Sequence, residues 1–282
     1  MRFETITFNN DRTMPSIGLG VYKARGEEAV KAIHVALDTG YRLIDTAAIY
    51  GNEAEVGQAI QKSDVGREDI FLTTKIWMPD YQDPMTALNS SLKKLKTDYV
   101  DLYLLHWPNP KQFDRTIKAY QTLEKAVKEG KIRSLGVSNF TQIQLDELQK
   151  HVKLTPVLNQ IEVHPYFSQK EMLKVNNERE IITQAWSPIG GMVERSDGSE
   201  LNVLKDKTIM QISEKYDRTP VQVMLRWHMQ NGCSAIPKSV TPERIRSNFD
   251  VFDFHLEDED MALMDSLNKD LRAGPHPDQF NG

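Results

Sequence analysis

The chain has 282 residues, of which 39% are hydrophobic and 27% charged, a composition typical of a globular protein. Its 40 acidic and 35 basic residues give a formal net charge of -5, and no long block of Lys and Arg occurs, which argues against nucleic-acid binding. The single cysteine, Cys233, cannot form an internal disulfide, and the N-terminal residues carry no apolar signal-like run. We therefore expect a cytoplasmic protein with neither a nucleic-acid nor a membrane partner.

Short apolar or β-branched runs alternate along the chain with stretches that carry apolar residues at helical spacing. The predicted strands are Ser16–Gly20, Tyr41–Asp45, Ile70–Thr74, Tyr99–Leu105, Lys131–Val137, Val157–Ile161, Ile181–Ala185 and Cys233–Pro237. The predicted helices are Glu27–Asp38, Glu53–Gln61, Pro84–Leu95, Thr116–Glu129, Leu145–Lys150, Lys170–Asn177, Leu204–Tyr216, Pro220–Gln230 and Pro242–Asn248. No linker, low-complexity tract or compositional break divides them, so we expect one domain over residues 1–282.

Eight strands, each followed by a helix, predict a closed parallel (β/α)8 barrel. The rival is a doubly wound open sheet, which would carry a GxGxxG phosphate turn after its first strand. Gly18-Leu19-Gly20 is followed by Val21, Tyr22 and Lys23, so the third glycine is missing and the barrel is favoured. Because barrel enzymes place their active sites at the carboxyl ends of the strands, polar residues there are the candidates for chemistry.

Four titratable side chains follow three neighbouring strands: Asp45, Tyr50, Lys75 and His106. Each alone has an ordinary explanation, such as a helix cap, a packed aromatic, a surface lysine or a buried histidine. Together they predict carbonyl reduction. A lysine cation would lower the pKa of the tyrosine toward that of a general acid, a carboxylate would hold the lysine, and a histidine would orient the carbonyl oxygen.

The later strand ends carry groups suited to a nicotinamide. Ser138, Asn139 and Gln160 supply hydroxyl and amide groups for a carboxamide, and Trp186 offers a flat stacking face. Turn or cap chemistry and core packing are the alternative explanations for these residues. After the eighth strand, Lys238, Ser239 and Arg244 place two cations and a hydroxyl at the start of a helix, a pattern that indicates a phosphate site.

The motifs GYRLIDTAAIYGNEAEVG, LLHWP, GVSNF, NQIEVHPY and IPKSVTPERI occur in this order and resemble the signatures of the aldo-keto reductase family over nearly the whole chain. The resemblance implies the barrel fold and a catalytic tetrad. In that tetrad Tyr50 is the general acid, Lys75 lowers its pKa, Asp45 holds Lys75 by an ion pair, and His106 orients the substrate. It also implies that Ser138, Asn139 and Gln160 bind the nicotinamide carboxamide and that Trp186 stacks on the ring.

The resemblance also implies which residues bind the remaining parts of the cofactor. Ser187, Pro188, Ile189 and Gly190 would follow the pyrophosphate, Lys238, Ser239 and Arg244 would bind the 2'-phosphate, and Asn248 would face the adenine. Such a cationic site implies NADPH rather than NADH. Ser247 departs from the family, because many members have a Glu there that contacts the adenine. Glu180 and Asp217 stand where a helix-ending Gly is usual, so we expect strained left-handed backbone at both.

The substrate pocket is predicted to be walled by Tyr22, Trp77 and Trp107, unless these aromatics simply pack the top of the barrel. The tail after Lys269 is short and polar, so we expect an open pocket, with Arg272 or Lys23 as partners for a substrate carboxylate. The sequence resembles the bacterial branch of 2,5-diketo-D-gluconate and glyoxal reductases. Small dicarbonyls, keto-sugars or aromatic aldehydes are therefore the expected substrates of a monomeric enzyme. No HExxH motif or cysteine pair indicates a metal.

Two other functions fit a barrel of this kind. One is a cofactor-sensing barrel that binds NADPH without turnover, although the intact tetrad favours catalysis. The other is a Schiff-base isomerase or aldolase, for which Lys75 is the formal candidate.

Overall fold

The computed structural model describes residues 4–190, 192–194 and 200–280. Its centre is a sheet of eight parallel strands, in which each strand pairs with its neighbours along the chain. These strands are β3 (Leu19–Gly20), β4 (Leu43–Asp45), β5 (Phe71–Ile76), β6 (Val100–Leu105), β7 (Ile132–Ser138), β8 (Leu158–Glu162), β9 (Ile182–Trp186) and β12 (Ser234–Ala235). The sheet includes all eight regions predicted as strands.

Helices alternate with the strands and pack around the sheet. They are α1 (Gly26–Thr39), α2 (Glu53–Gln61), α3 (Pro84–Leu95), α4 (Phe113–Lys128), α5 (Gln142–Gln149), α6 (Lys170–Asn177), α7 (Lys207–Tyr216), α8 (Pro220–Gln230), α9 (Pro242–Phe249) and α10 (Asp258–Ser266). Within the described ranges, none of them combines the length and apolar character that a membrane span requires. Helix α10 was not predicted.

The first and last strands meet and close the sheet. Isolated parallel bridges join Ile17 to Ala235 and Gly20 to Lys238. The Gly18 amide donates to the Ala235 carbonyl at 2.9 Å. A Cβ atom at Gly20 would lie 2.8 Å from the Ile236 carbonyl oxygen, so only a glycine permits this approach. The predicted (β/α)8 barrel is therefore confirmed.

The amino end of the barrel is covered by a hairpin that the sequence analysis missed. Strands β1 (Thr5–Thr7) and β2 (Thr13–Pro15) pair antiparallel through a turn in which Asp11 has a φ of 62°. Phe8 and Met14 of this hairpin are buried in an apolar cluster with barrel residues such as Leu102. The hairpin thus forms an apolar floor under the barrel. A second hairpin pairs β10 (Met192–Glu194) with β11 (Glu200–Asn202).

A local cap explains one helix boundary that was predicted wrongly. Helix α7 begins at Lys207, not Leu204, because the Asp206 carboxylate accepts the Thr208 amide at 2.9 Å and so caps the helix. The expected left-handed backbone is present at Glu180 (φ 56°) and Asp217 (φ 50°). Cys233 precedes β12 and is buried, and this burial raises the pKa of its thiol to about 12.

Candidate active site

The carboxyl ends of the barrel strands, which we call the mouth, surround a pocket of about 870 Å³. Most of the predicted site residues line it: Tyr22, Asp45, Tyr50, Trp77, His106, Trp107, Ser138, Asn139, Gln160, Trp186, Ser187, Pro188, Ile189, Gly190 and Lys238. Lys75, Ser239, Arg244 and Asn248 are not part of this lining. The structure therefore brings the predicted catalytic and nicotinamide groups into one cavity.

Asp45 and Lys75 form a buried ion pair beneath the pocket. The Lys75 Nζ atom donates to Asp45 Oδ1 at 2.6 Å and to the Thr46 carbonyl at 2.8 Å. Gln160 Nε2 donates to Asp45 Oδ2 at 2.8 Å, so both carboxylate oxygens are occupied. Burial lowers the pKa of Lys75, whereas the contact with Asp45 raises it. The paired carboxylate therefore keeps the ammonium in place inside the barrel.

Tyr50 ends a short 3-10 helix, Ala48–Tyr50, and its ring forms part of the pocket wall. Lys75 Nζ lies 5.1 Å from the ring centroid. The pKa of Tyr50 lies well above its ordinary value because of burial, with the charge of Asp45 as a second cause. The net shift of the Tyr50 pKa is therefore upward, and the lowering contribution of Lys75, whose ammonium is bound to Asp45 and Thr46, stays a prediction. Tyr50 is held as a neutral phenol, which is the form that can donate a proton.

His106 faces Tyr50 across the pocket, with ring centroids 5.6 Å apart, and its other edge packs on Trp77 at 5.3 Å. Burial, and secondarily the charge of Lys75, hold the pKa of His106 well below its ordinary value. The ring is thus a neutral imidazole at physiological pH. Its buried Nδ1 atom has no hydrogen-bond partner among the described residues.

Asn139 connects the two sides of the pocket. Its backbone is left-handed, with a φ of 64°, a conformation that asparagine adopts more readily than most residues. The side-chain amide donates to the His106 carbonyl at 3.0 Å, while its oxygen accepts the indole N–H of Trp186 at 2.8 Å. The backbone of His106 and the ring of Trp186 are therefore held in a fixed relation by one side chain.

The residues predicted for the pyrophosphate form a tight turn after β9. Ser187 is exposed and left-handed, with a φ of 48°. The carbonyl of Pro188 lies 2.8 Å from Nε2 of the buried His228 on α8. A Cβ atom at Gly190 would lie 3.2 Å from the ring of His164. Two buried histidines thus contact this turn.

The predicted phosphate site lies at the start of α9. Lys238 and Arg244 are exposed, and neither forms an ion pair within the part of the chain that the structure describes. Ser239 Oγ accepts the Thr241 amide at 3.2 Å, and Asn248 is buried near the end of the helix. The two cations are therefore available to an external anion.

The C-terminal tail contributes to the pocket lining, which the sequence analysis did not predict. Ala273, Gly274, Pro275 and Phe280 line the cavity. The ring of Phe280 stacks on Trp107 with centroids 4.2 Å apart and also contacts Trp77. A short polar tail therefore supplies one wall of the pocket. The residues that form this wall lie in the segment from Ala273 to Phe280.

Arg272 was expected to be a possible partner for a substrate carboxylate, but its guanidinium is engaged elsewhere. Its guanidinium lies 3.7 Å from the buried carboxylate of Glu162 and packs on Phe167. Lys23 does line the pocket, where its ammonium lies over the ring of Tyr22. Glu162 itself was not singled out from the sequence, although it stands two residues after Gln160 in the same strand.

Comparisons with known proteins identify the family of the chain. Residues 16–269 match the model of the aldo/keto reductase family. The chain is 48% identical over 278 residues to morphine 6-dehydrogenase of Pseudomonas putida, with 96% of this chain and 94% of that protein covered. It is 44% identical over 277 residues to methylglyoxal reductase DkgA of Escherichia coli, with 98% of each chain covered.

The solved structures give the same result for the fold. An aldo/keto reductase from Brucella melitensis superposes with a TM-score of 0.89 at 45% sequence identity, covering 95% of this chain and all of that one. The family match, the bacterial relatives and the fold all agree. The chain therefore belongs to the aldo/keto reductase family and is an oxidoreductase that acts on carbonyl groups.

Proposed function

We propose that this protein reduces aldehydes and ketones to alcohols with NADPH, using Tyr50 as the general acid. The expected substrates are small dicarbonyls, keto-sugars or aromatic aldehydes. One observation carries the proposal: the buried Asp45–Lys75 pair, Tyr50 and His106 converge at the base of a single pocket. The names of the relatives, a methylglyoxal reductase and a morphine 6-dehydrogenase, support chemistry between carbonyls and alcohols.

The pocket fits a nicotinamide dinucleotide. Trp186 is half-buried in the wall and can stack on an aromatic ring, while Ser138, Asn139 and Gln160 lie beside it. Lys238 precedes α9 and Arg244 lies in its first turn, where the helix dipole also favours an anion, and neither side chain forms an ion pair with the residues that the structure describes. When bound, the reduced nicotinamide supplies a hydride to the carbonyl carbon.

The residues of the tetrad supply the proton that the substrate oxygen receives and stabilise the charges that develop. As negative charge develops on the substrate oxygen, the neutral phenol of Tyr50 donates its proton to that oxygen. The ammonium of Lys75, 5.1 Å from the ring centroid, then stabilises the phenolate. A neutral His106 protonated at Nε2 donates a hydrogen bond to the same oxygen and orients it. Asp45 keeps Lys75 in place and does not touch the substrate.

The preference for NADPH follows from the charges at α9. A phosphate dianion gains charge-assisted hydrogen bonds from a lysine and an arginine, whereas a ribose hydroxyl gains much less. Ser239, Arg244 and Asn248 would complete this subsite, although they lie outside the central cavity. The proposal also includes a cytoplasmic, monomeric, single-domain enzyme, as expected from the sequence.

The Schiff-base alternative is disfavoured by the position of Lys75. Its Nζ atom is fully buried, is bound to Asp45 and Thr46, and does not face the pocket. An amine that attacks a carbonyl must be neutral and must reach the substrate. The cofactor-sensing barrel shares all of the cofactor residues, so only a measurement of turnover separates it from the reductase.

The test follows the loss of reduced-nicotinamide absorbance with NADPH and with NADH, using methylglyoxal, an aromatic aldehyde, 2,5-diketo-D-gluconate and a steroid ketone. Tyr50→Phe is expected to lose about 10²- to 10⁴-fold in kcat. Tyr99→Phe removes a hydroxyl at the other end of the barrel and is the matched control. NADPH binding without turnover of any carbonyl would replace the reductase with the cofactor-sensing barrel.

A further inference from the structure

A fully buried carboxylate that the proposed chemistry does not use lies at the mouth of the barrel. Glu162 ends β8, and its side chain has no exposed surface. Because side chains of a strand alternate, Glu162 lies on the same face as Gln160, one layer nearer the mouth. A buried carboxylate is costly unless several donors satisfy it, so its partners identify what it does.

Three of the polar partners of Glu162 come from the tail. Its Oε1 atom accepts the Ala273 amide at 2.6 Å, and its Oε2 atom accepts the Gly274 amide at 3.0 Å. The Arg272 guanidinium lies 3.7 Å from Oε2. Two consecutive backbone amides are thus bound by one carboxylate, an arrangement that fixes the path of the chain at this point.

The fourth partner is His164, whose Nε2 atom lies 3.1 Å from Glu162 Oε1. His164 is also fully buried, and its ring lies against the backbone of Gly190. His164 and the Ala273 amide of the tail therefore contact the same carboxylate oxygen. Burial raises the pKa of Glu162, but the hydrogen bonds from His164, Ala273 and Gly274 outweigh it, so the pKa is lowered and the group is ionised.

The anchored segment continues across the pocket. Gly274 lies so close to Trp186 that an added Cβ atom would overlap the indole ring. Farther on, Asp278 accepts the side-chain amide of Gln144 at 2.9 Å, and Phe280 stacks on Trp107. The tail from Ala273 to Phe280 therefore runs from the nicotinamide side to the substrate side of the cavity.

We propose that Glu162 is a positioning residue that docks the tail across the pocket and thereby sets the affinity for the carbonyl substrate. This inference rests on the proposed function for its substrate part. The docked tail supplies the wall formed by Phe280, so releasing it removes apolar contact area from the substrate. The described hydrogen bonds and ion pairs of the Glu162 side chain do not include the tetrad, so the proton transfer itself is expected to be preserved.

The test uses two variants that release the tail from opposite sides. Glu162→Gln keeps the shape of the side chain but replaces one acceptor oxygen with a donor. Gly274→Ala leaves Glu162 intact and forces the tail away from Trp186. Glu171→Gln, an exposed residue of α6, is the matched control. Gly274→Ala keeps the test valid if Glu162→Gln fails to fold.

The first readout does not depend on activity. Trypsin cleaves after Arg272, and docking of the next two residues on Glu162 protects this bond. Loss of a charge-assisted pair of hydrogen bonds is expected to speed release of the 273–282 peptide by about tenfold or more in both variants. Equal release rates in both variants and the control would overturn the docking role.

The second readout separates positioning from chemistry. We expect KM for a small carbonyl such as methylglyoxal to rise about tenfold in both variants, with kcat of Glu162→Gln within about threefold of the parent. Faster tryptic release with an unchanged KM would overturn the substrate part of the inference. A parent chain without turnover would overturn the proposed function instead, and the tryptic rates would still decide whether Glu162 docks the tail.

Discussion

The two ends of the barrel are built from opposite kinds of residue. At the floor, Phe8 and Met14 of the N-terminal hairpin fill the barrel axis among leucines. At the mouth, the corresponding interior positions carry Asp45, Lys75 and Gln160, which hydrogen-bond to one another. Apolar packing at the floor contributes stability without chemistry, whereas the polar network at the mouth buries charge in order to position reactive groups. Substitutions at the two ends are therefore expected to separate stability from activity.

The largest effect is expected at the mouth, from Lys75→Met. The change leaves the carboxylate of Asp45 buried without its cation, which costs about 3–5 kcal/mol of the free energy of unfolding. Because the phenolate of Tyr50 also loses its neighbouring charge, kcat is expected to fall by about 10²- to 10⁴-fold. Urea denaturation and NADPH oxidation measure the two effects. Lys150→Met, at an exposed ion pair with Glu147, should change either quantity little.

At the floor of the barrel we expect the opposite result, a loss of stability without a loss of activity. Phe8→Ala removes a buried ring that packs edge-to-face on Phe71, with centroids 6.1 Å apart. We expect a loss of about 3–5 kcal/mol of stability, with kcat/KM unchanged below the unfolding transition. Phe8→Leu refills most of the volume and should lose much less. A fall in kcat/KM of the folded Phe8→Ala protein would contradict the separation of the two ends.

A third prediction concerns pH. Burial first, and the neighbouring His164 second, lower the pKa of His228 from 6.5 to about 4. Above pH 6.5 the ring is neutral in both the folded and unfolded chains, so its contribution is complete. As the pH falls toward 4, the unfolded chain binds a proton that the folded chain does not, and about 2 kcal/mol of stability is lost by pH 5.

His228→Gln should remove this part of the pH dependence because a glutamine side chain does not titrate. Its amide can still donate to the Pro188 carbonyl, so the contact itself is kept. Urea denaturation at pH 7.5 and pH 5 gives the comparison, with the exposed His255→Gln as control. The buried His106 will leave a residual slope of the same sign. An unchanged slope in His228→Gln would show that His228 does not stay neutral in the fold.

The smallest effect is expected at the left-handed helix end. Asp217 has a φ of 50°, so Asp217→Gly should relieve about 1 kcal/mol of strain. The melting temperature should then rise by about 2–4 °C, with turnover unchanged. Asp217→Ala keeps the Cβ atom and should give no such gain. Glu180→Gly, at a φ of 56°, repeats the test at a second site.

Much of the barrel could be predicted from the sequence because each strand and helix carries its own local pattern. The bounds of α2, α3, α6 and α8 agree with the prediction. The N-terminal hairpin was missed because its strands have three residues each, too few for a periodic signal. Strands β3 and β12 have two residues each, fewer than the five predicted for each, since the barrel closes there through isolated bridges.

The candidate site divides in the same way. Asp45, Lys75 and His106 were identifiable because each follows a strand, and the barrel brings strand ends together. The anchoring of the tail could not be predicted, because Glu162 and Ala273 are 111 residues apart and the contact is made through backbone amides, which carry no sequence signature. The high pKa of Tyr50 also depends on burial, a property of the assembled pocket.

Cys233 has a practical consequence for studying this enzyme. Its thiol is buried with a pKa of about 12, so it offers almost no thiolate to a labelling reagent at neutral pH. A second cysteine placed on the exposed part of the tail, for example by His276→Cys, would then be the one reactive thiol. A fluorescent dye attached there would report the movement of the tail in real time, with no need to remove the native cysteine.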